Sequence, residues 1–203
     1  MQFNKEELKL IKKLSTPKKV QDFINSLKAN FEPNGDECKS PRVILKRRTA
    51  HCIEGAILAA AILRIHGHKP LLVDLRTTKD DYEHVLAVFK QDGYWGAITK
   101  TNHAVLRYRE PIYKNIRELV MSYFHEYFLD NGKKTLRSYS NPVDLNKFDS
   151  KNWITDKKDL WYIARHLDKV KHYPIINNKQ IKNLRKADRI EIEAGKLTEY
   201  KKD

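Results

Sequence analysis

Thr49-Ala50-His51-Cys52-Ile53-Glu54-Gly55-Ala56-Ile57-Leu58-Ala59-Ala60-Ala61-Ile62-Leu63-Arg64-Ile65-His66-Gly67 is the stretch that decides the fold. Ala56, Ala59, Ala60 and Leu63 recur at i, i+3, i+4 and i+7, and Ile57, Leu58, Ala61 and Ile62 fill the other side. A helix apolar nearly all round is buried on most faces. The small alanines let neighbours come close. Gly67 ends the helix as a left-handed residue. Cys52 opens it, and unpaired N–H groups and the helix dipole favour a thiolate there.

Three strand candidates follow the helix. Leu71–Leu75 is a buried apolar run, and His84–Phe89 is rich in β-formers. Tyr94–Thr99 comes after the turn Gln91-Asp92-Gly93, and Asp-Gly between two such runs signals a hairpin. The pattern predicts an antiparallel meander behind the helix, with a charged loop at Thr77–Asp81. Upstream, residues 1–15 read as a short polar helix carrying Leu8, Ile11 and Leu14. Ser15-Thr16-Pro17 starts a second helix, with a hydroxyl cap and proline at the first helical position. That helix stops near Asn30, before the turn Pro33-Asn34-Gly35. A loop with Cys38 and a helical stretch at Val43–Arg47 lead into the central helix. Downstream, 112–129 reads as a helix with an aromatic stripe suited to core packing. Gly132–Leu145 reads as strand or ordered loop, and Thr155–Leu167 as a helix capped by Thr155. The last 25 residues are charged and read as an end that projects or frays. The whole is an α+β domain: a core over about 16–110, then a mostly helical extension over about 111–203.

The composition is globular, with 40% hydrophobic and 33% charged residues. No apolar run approaches the roughly 20 residues that span a bilayer, and no secretory signal opens the chain, so the expected compartment is the cytoplasm. Two cysteines, Cys38 and Cys52, exclude a disulfide framework. They cannot form a tetrahedral thiolate site alone, and His51, His66, His68 and His103 lack ligand spacing, so neither metal nor cofactor is expected. The net charge of +14 permits nucleic acid or an acidic partner without favouring either.

Alone, Cys52 reads as a small buried residue and His84 as a core histidine. Their order and spacing say more. The run Cys52-x3-Ala56-x3-Ala60 through Leu63-Arg64, Gly67 and Pro70 resembles the nucleophile helix of the transglutaminase-like superfamily, which shares the papain-like fold. His84-Val85 resembles that family's catalytic histidine at the start of a strand, and Asp92-Gly93-x-Trp95 its following hairpin. The likeness covers Cys52 to Lys100. It implies a helix packed on a small antiparallel sheet, a Cys52 nucleophile, a His84 base and peptide or amide substrates.

One position departs from the pattern. The family places an aspartate fifteen residues after the histidine, where this chain has Thr99. Three residues compete to orient His84: Thr99 itself, Asn102 as an amide, and Asp74 from the preceding strand. Gln21 is a candidate oxyanion donor by analogy with papain-type sites, beside the Cys52 N–H. Trp95 reads as packing or as site lining. His51, next to Cys52, would point elsewhere on a helix. Two functions follow: a thiol hydrolase or acyltransferase, or an inactive relative that binds an acidic partner or nucleic acid.

Overall fold

The computed structural model describes residues 3–33 and 35–201. Asn34, at the centre of an expected turn, lies outside them. Helices α1 (Lys5–Lys13) and α2 (Pro17–Asn25) come first, capped by Asn4 and Thr16. The short strand β1 (Lys28–Ala29) pairs in parallel with β2 (Thr49–Ala50), and α3 (Pro41–Arg47) lies between them in the chain. The central helix α4 (Cys52–Ile65) follows, fully buried from Glu54 to Leu63.

Behind it run β3 (Leu71–Arg76), β4 (His84–Gln91), β5 (Tyr94–Ile98) and β6 (Arg109–Tyr113). Asp92 and Gly93 both take positive φ at the β4–β5 turn, which matches a two-residue hairpin. After α5 (Ile116–Met121) come β7 (Ser138–Ser140), β8 (Val143–Asp144), α6 (Trp161–Lys169), β9 (His172–Pro174), α7 (Asn178–Lys182) and α8 (Arg189–Gly195). The sheet order is β6-β5-β4-β3-β7-β9, all antiparallel, and β8 also pairs with β3. The segment after residue 110 therefore adds strands to the sheet as well as helices.

The sheet is covered on both faces. Leu72, Val85, Ala87, Phe89 and Ile98 join the α4 core. Val73, Leu75, Leu86, Val88 and Ala97 meet Leu119, Val120, Tyr123 and Tyr127 on the other side. Burial on both faces explains why β3 and β4 read as apolar runs rather than alternating patterns.

Three expected elements differ. The helix expected over 112–129 is shorter. Pro111 and Ile112 sit in β6, Asn115 caps α5, and Phe124–Glu126 forms a single 3-10 turn. Arg109 donates to the Ser122 carbonyl at 3.1 Å and so ends the helix from outside. The helix expected from Thr155 begins only at Trp161. The preceding backbone is committed to α3's entry: Arg42 N–H donates to Ile154 O, Ser40 Oγ to Asp156 O, and Leu160 N–H to Cys38 O. The charged end does not project. Leu197 O accepts the Ala104 N–H, and Glu199 N–H donates to Asn102 O.

Candidate active site

Cys52 stands at the first position of α4, where its N–H has no acceptor within the helix. Gly55 lets this turn come close to the chain after β5. A Cβ at Gly55 would overlap the Lys100 side chain. That approach brings the ends of β4 and β5 to the thiol.

Cys52 and His84 line one cleft of about 830 Å³. Burial works against a thiolate at Cys52, but hydrogen bonds from His51 and His84, and the charge on both rings, hold the thiol at about 5. Two imidazoles thus serve one sulfur.

The two rings have different surroundings. His84 Nε2 lies 2.5 Å from Thr99 Oγ1, which leaves Nδ1 for the thiol. His51 is the N-cap of α4, in extended backbone, so its side chain is not carried round the helix. Its Nε2 donates to Glu37 O at 2.9 Å, with Glu32 Oε1 at 3.5 Å and Glu54 Oε2 at 3.7 Å. Burial opposes charge on this ring. Its bond to Cys52, the carboxylate of Glu54 and the Glu37 carbonyl outweigh that and raise it to about 9.

Glu54 is the fully buried anchor of this arrangement. It accepts the N–H groups of His51 (3.0 Å) and Lys39 (2.9 Å) and an amide hydrogen of Asn30 (3.2 Å). Lys39 Nζ lies 3.3 Å away, itself almost fully buried. The glutamate therefore stands behind the site and supports His51.

The other predicted residues occupy distinct places. Gln21 does not line the cleft: its Nε2 donates to Thr99 O (2.9 Å) and Asn25 Oδ1 (2.7 Å), while its Oε1 accepts Thr99 N–H (3.0 Å). It clamps the backbone of the residue that holds His84 and is not placed as an oxyanion donor. Asn102 is at the cleft wall, but both ends of its amide are bonded to Tyr200, so it pins the chain end rather than the imidazole. Asp74 faces His172 Nε2 at 2.8 Å, not His84. Trp95 packs in the second core beneath the Lys90 ammonium, 5.7 Å from the ring centroid. Cys38 is fully buried, and burial, with the nearby Glu54, pushes its thiol up to about 12. Both cysteines are free.

A family model described as Transglutaminase-like domain matches residues 2–110. The chain belongs to the transglutaminase-like superfamily. No curated protein matches it. The matched span contains Cys52, His51, His84 and Thr99. It stops short of Tyr127, which also lines the cleft and whose buried hydroxyl has no partner among the described residues.

Sequence reasoning missed His51 and Tyr127. A place on the helix itself would turn His51 away from the sulfur, whereas the cap geometry frees it. The signal was present in His51-x2-Glu54, the pattern in which a residue at helix position three reaches back to the cap. Tyr127 belonged to an aromatic stripe, and nothing in its spacing separates it from Tyr123.

Proposed function

We propose that this transglutaminase-like protein is a thiol-dependent amide hydrolase or acyltransferase acting on peptide or amide substrates. The observation that carries this reading is the Cys52 thiol at a helix N-terminus, lining one cleft with His51 and His84 and held at about 5 by the two imidazoles. A thiolate at neutral pH is what nucleophilic attack on a carbonyl needs.

The residues divide the work. His51, backed by Glu54 and Glu32, is the standing cation that keeps the sulfur ionised. His84, held by the neutral Thr99 hydroxyl, moves the proton. The Cys52 sulfur bonds to the substrate carbonyl carbon, and the oxygen takes up the negative charge. The Cys52 N–H and the Tyr127 hydroxyl receive that oxyanion. As the tetrahedral centre collapses, the carbon–nitrogen bond breaks and His84 gives its proton to the departing amine. A thioester remains. Water or an amine then attacks it, His84 takes the proton back, and the carbon–sulfur bond breaks to return the thiolate. A carboxylate under His51 compensates for its absence under His84.

Incubation with a panel of peptide amides and activated esters tests this reading. Intact-mass detection of an acyl adduct on Cys52, lost in Cys52→Ala with the fold retained, is the expected result. Turnover that survives in Cys52→Ala would overturn it.

The neutral Thr99 favours a second reading, a non-catalytic module for an acidic partner or nucleic acid, consistent with the +14 charge. Polyanion binding of fixed stoichiometry that persists at high salt would support it. Binding lost with modest salt is nonspecific attraction.

A further inference from the structure

The cleft has the opposite charge from the chain that builds it. The chain carries 40 Lys and Arg against 26 Asp and Glu. The cleft wall carries Glu32, Asp81, Glu83, Glu126 and Asp130, against Lys100, the His51 cation and no arginine. Lys100 does not offset them, because its ammonium is turned to the carbonyls of Leu27 and Asn25 and lies over the Tyr200 ring.

The carboxylates are not equally free. Glu126 is paired with Arg109 at 2.5 Å, and Glu32 serves His51. Among the described residues Asp81 has only neutral donors, the Thr135 hydroxyl and the Tyr82 N–H. Glu83 has Arg76 at 3.7 Å and is held above the usual carboxylate range by burial and by Asp74. Asp130 has no ionic or hydrogen-bond partner among the described residues and is exposed. Asp81, Tyr82 and Glu83 run directly into His84. Tyr82 is 90% exposed, an aromatic face between two carboxylates. Tyr127 lines the same cleft, and its buried hydroxyl is a donor with no partner among the described residues.

We infer that the substrate of this site carries a cationic side chain, an alkylammonium or guanidinium, beside the carbonyl that Cys52 attacks. The inference rests on the reading of Cys52 as a reactive thiolate. The cation would sit over Tyr82 between Asp81, Glu83 and Asp130, by charge and by cation–π attraction. The carbonyl oxygen would lie toward Tyr127. In this arrangement the cation is a recognition element and does not itself react.

Charge-selective thiol reagents test this without a known substrate. A cationic (trimethylammonium) and an anionic (sulfonate) ethyl methanethiosulfonate each transfer their thioalkyl group to a thiolate, forming a disulfide and releasing methanesulfinate. The ratio of the two rates at Cys52, divided by the same ratio for free cysteine, reports the field of the cleft. Cys38 is buried and stays out of the measurement. A normalised ratio of about ten at low salt is expected, shrinking as salt screens the wall. Glu83→Gln with Asp130→Asn should bring it towards one without slowing iodoacetamide, which is neutral. Both side chains are at the surface, so the fold should tolerate the change. A ratio of one or less in the native protein, or one that the double variant leaves unchanged, overturns the inference while Cys52 remains a thiolate. Failure of both reagents to label Cys52 removes the thiolate reading and this inference together.

Discussion

Replacing His51 by glutamine removes one of the two imidazoles at the Cys52 sulfur and leaves a side chain of similar reach. Lowering a thiol from an ordinary value of about 8.5 to about 5 corresponds to about 5 kcal/mol of preference for the ionised form. That preference is what remains after burial has opposed it. If the two rings contribute alike, losing either removes at least half of it, because the burial term stays. The thiolate midpoint in His51→Gln should therefore rise from about 5 to about 7 or above. Iodoacetamide alkylation against pH, read at Cys52 by peptide mass spectrometry, gives that midpoint, with Cys38 as internal control. The midpoint is the quantity to compare, not the rate at one pH, since a more basic thiolate is also a better nucleophile. A midpoint that stays near 5 in His51→Gln and rises only in His84→Ala would refute the assignment of His51 as the standing cation.

Other predictions follow from the same contacts. Thr99→Val removes the hydroxyl from His84 and should lower turnover of an activated ester roughly tenfold, with the Cys52 midpoint almost unmoved; a large rise in the midpoint would show that Thr99 acts on the charge instead. Gln21→Ala leaves the Thr99 N–H and carbonyl without their partners in a buried setting and should cost about 2–4 kcal/mol in urea unfolding; a cost below about 0.5 kcal/mol would mean the clamp does not hold Thr99. Glu54→Gln removes one of the two carboxylates at the buried Lys39 ammonium, leaving Glu37 at 2.9 Å, and should destabilise by about 1–3 kcal/mol, also raising the Cys52 midpoint. Stability should form a dome against pH. Cys52, depressed on folding, contributes fully above the ordinary thiol value and loses that contribution as pH falls through about 5. His51, raised on folding, contributes fully below its ordinary value and loses that as pH rises through about 9. The opposing slopes cancel between about 6.5 and 8.5, and His51→Gln should leave the Cys52 slope uncompensated, so that thermal melts show stability still rising towards about pH 8.5.

Local chemistry carried much of the architecture. The cap at Thr16-Pro17, the apolar helix from Cys52 and the Asp92-Gly93 hairpin depend on residues within a few positions of each other, and each was legible in the chain. The helices expected at 112–129 and from Thr155 failed for a shared reason. Their ends are set by distant groups, the Arg109 guanidinium on the Ser122 carbonyl and the α3 backbone on residues 154–160. Periodicity does not record such bonds.

The site divides in the same way. The sequence by itself determined that a cysteine would open a buried helix and that a histidine would begin a strand two elements on, because periodicity and family spacing both fix them. The tertiary structure decided what surrounds them. It turned Gln21 onto Thr99, gave Asp74 to His172, tied Asn102 to Tyr200 and placed His51 beside the sulfur. It also brought Tyr127, from outside the matched family span, to the cleft wall. Hydrogen bonds between side chains far apart in the chain depend on where the backbone carries them, and that is fixed only when both faces of the sheet are covered.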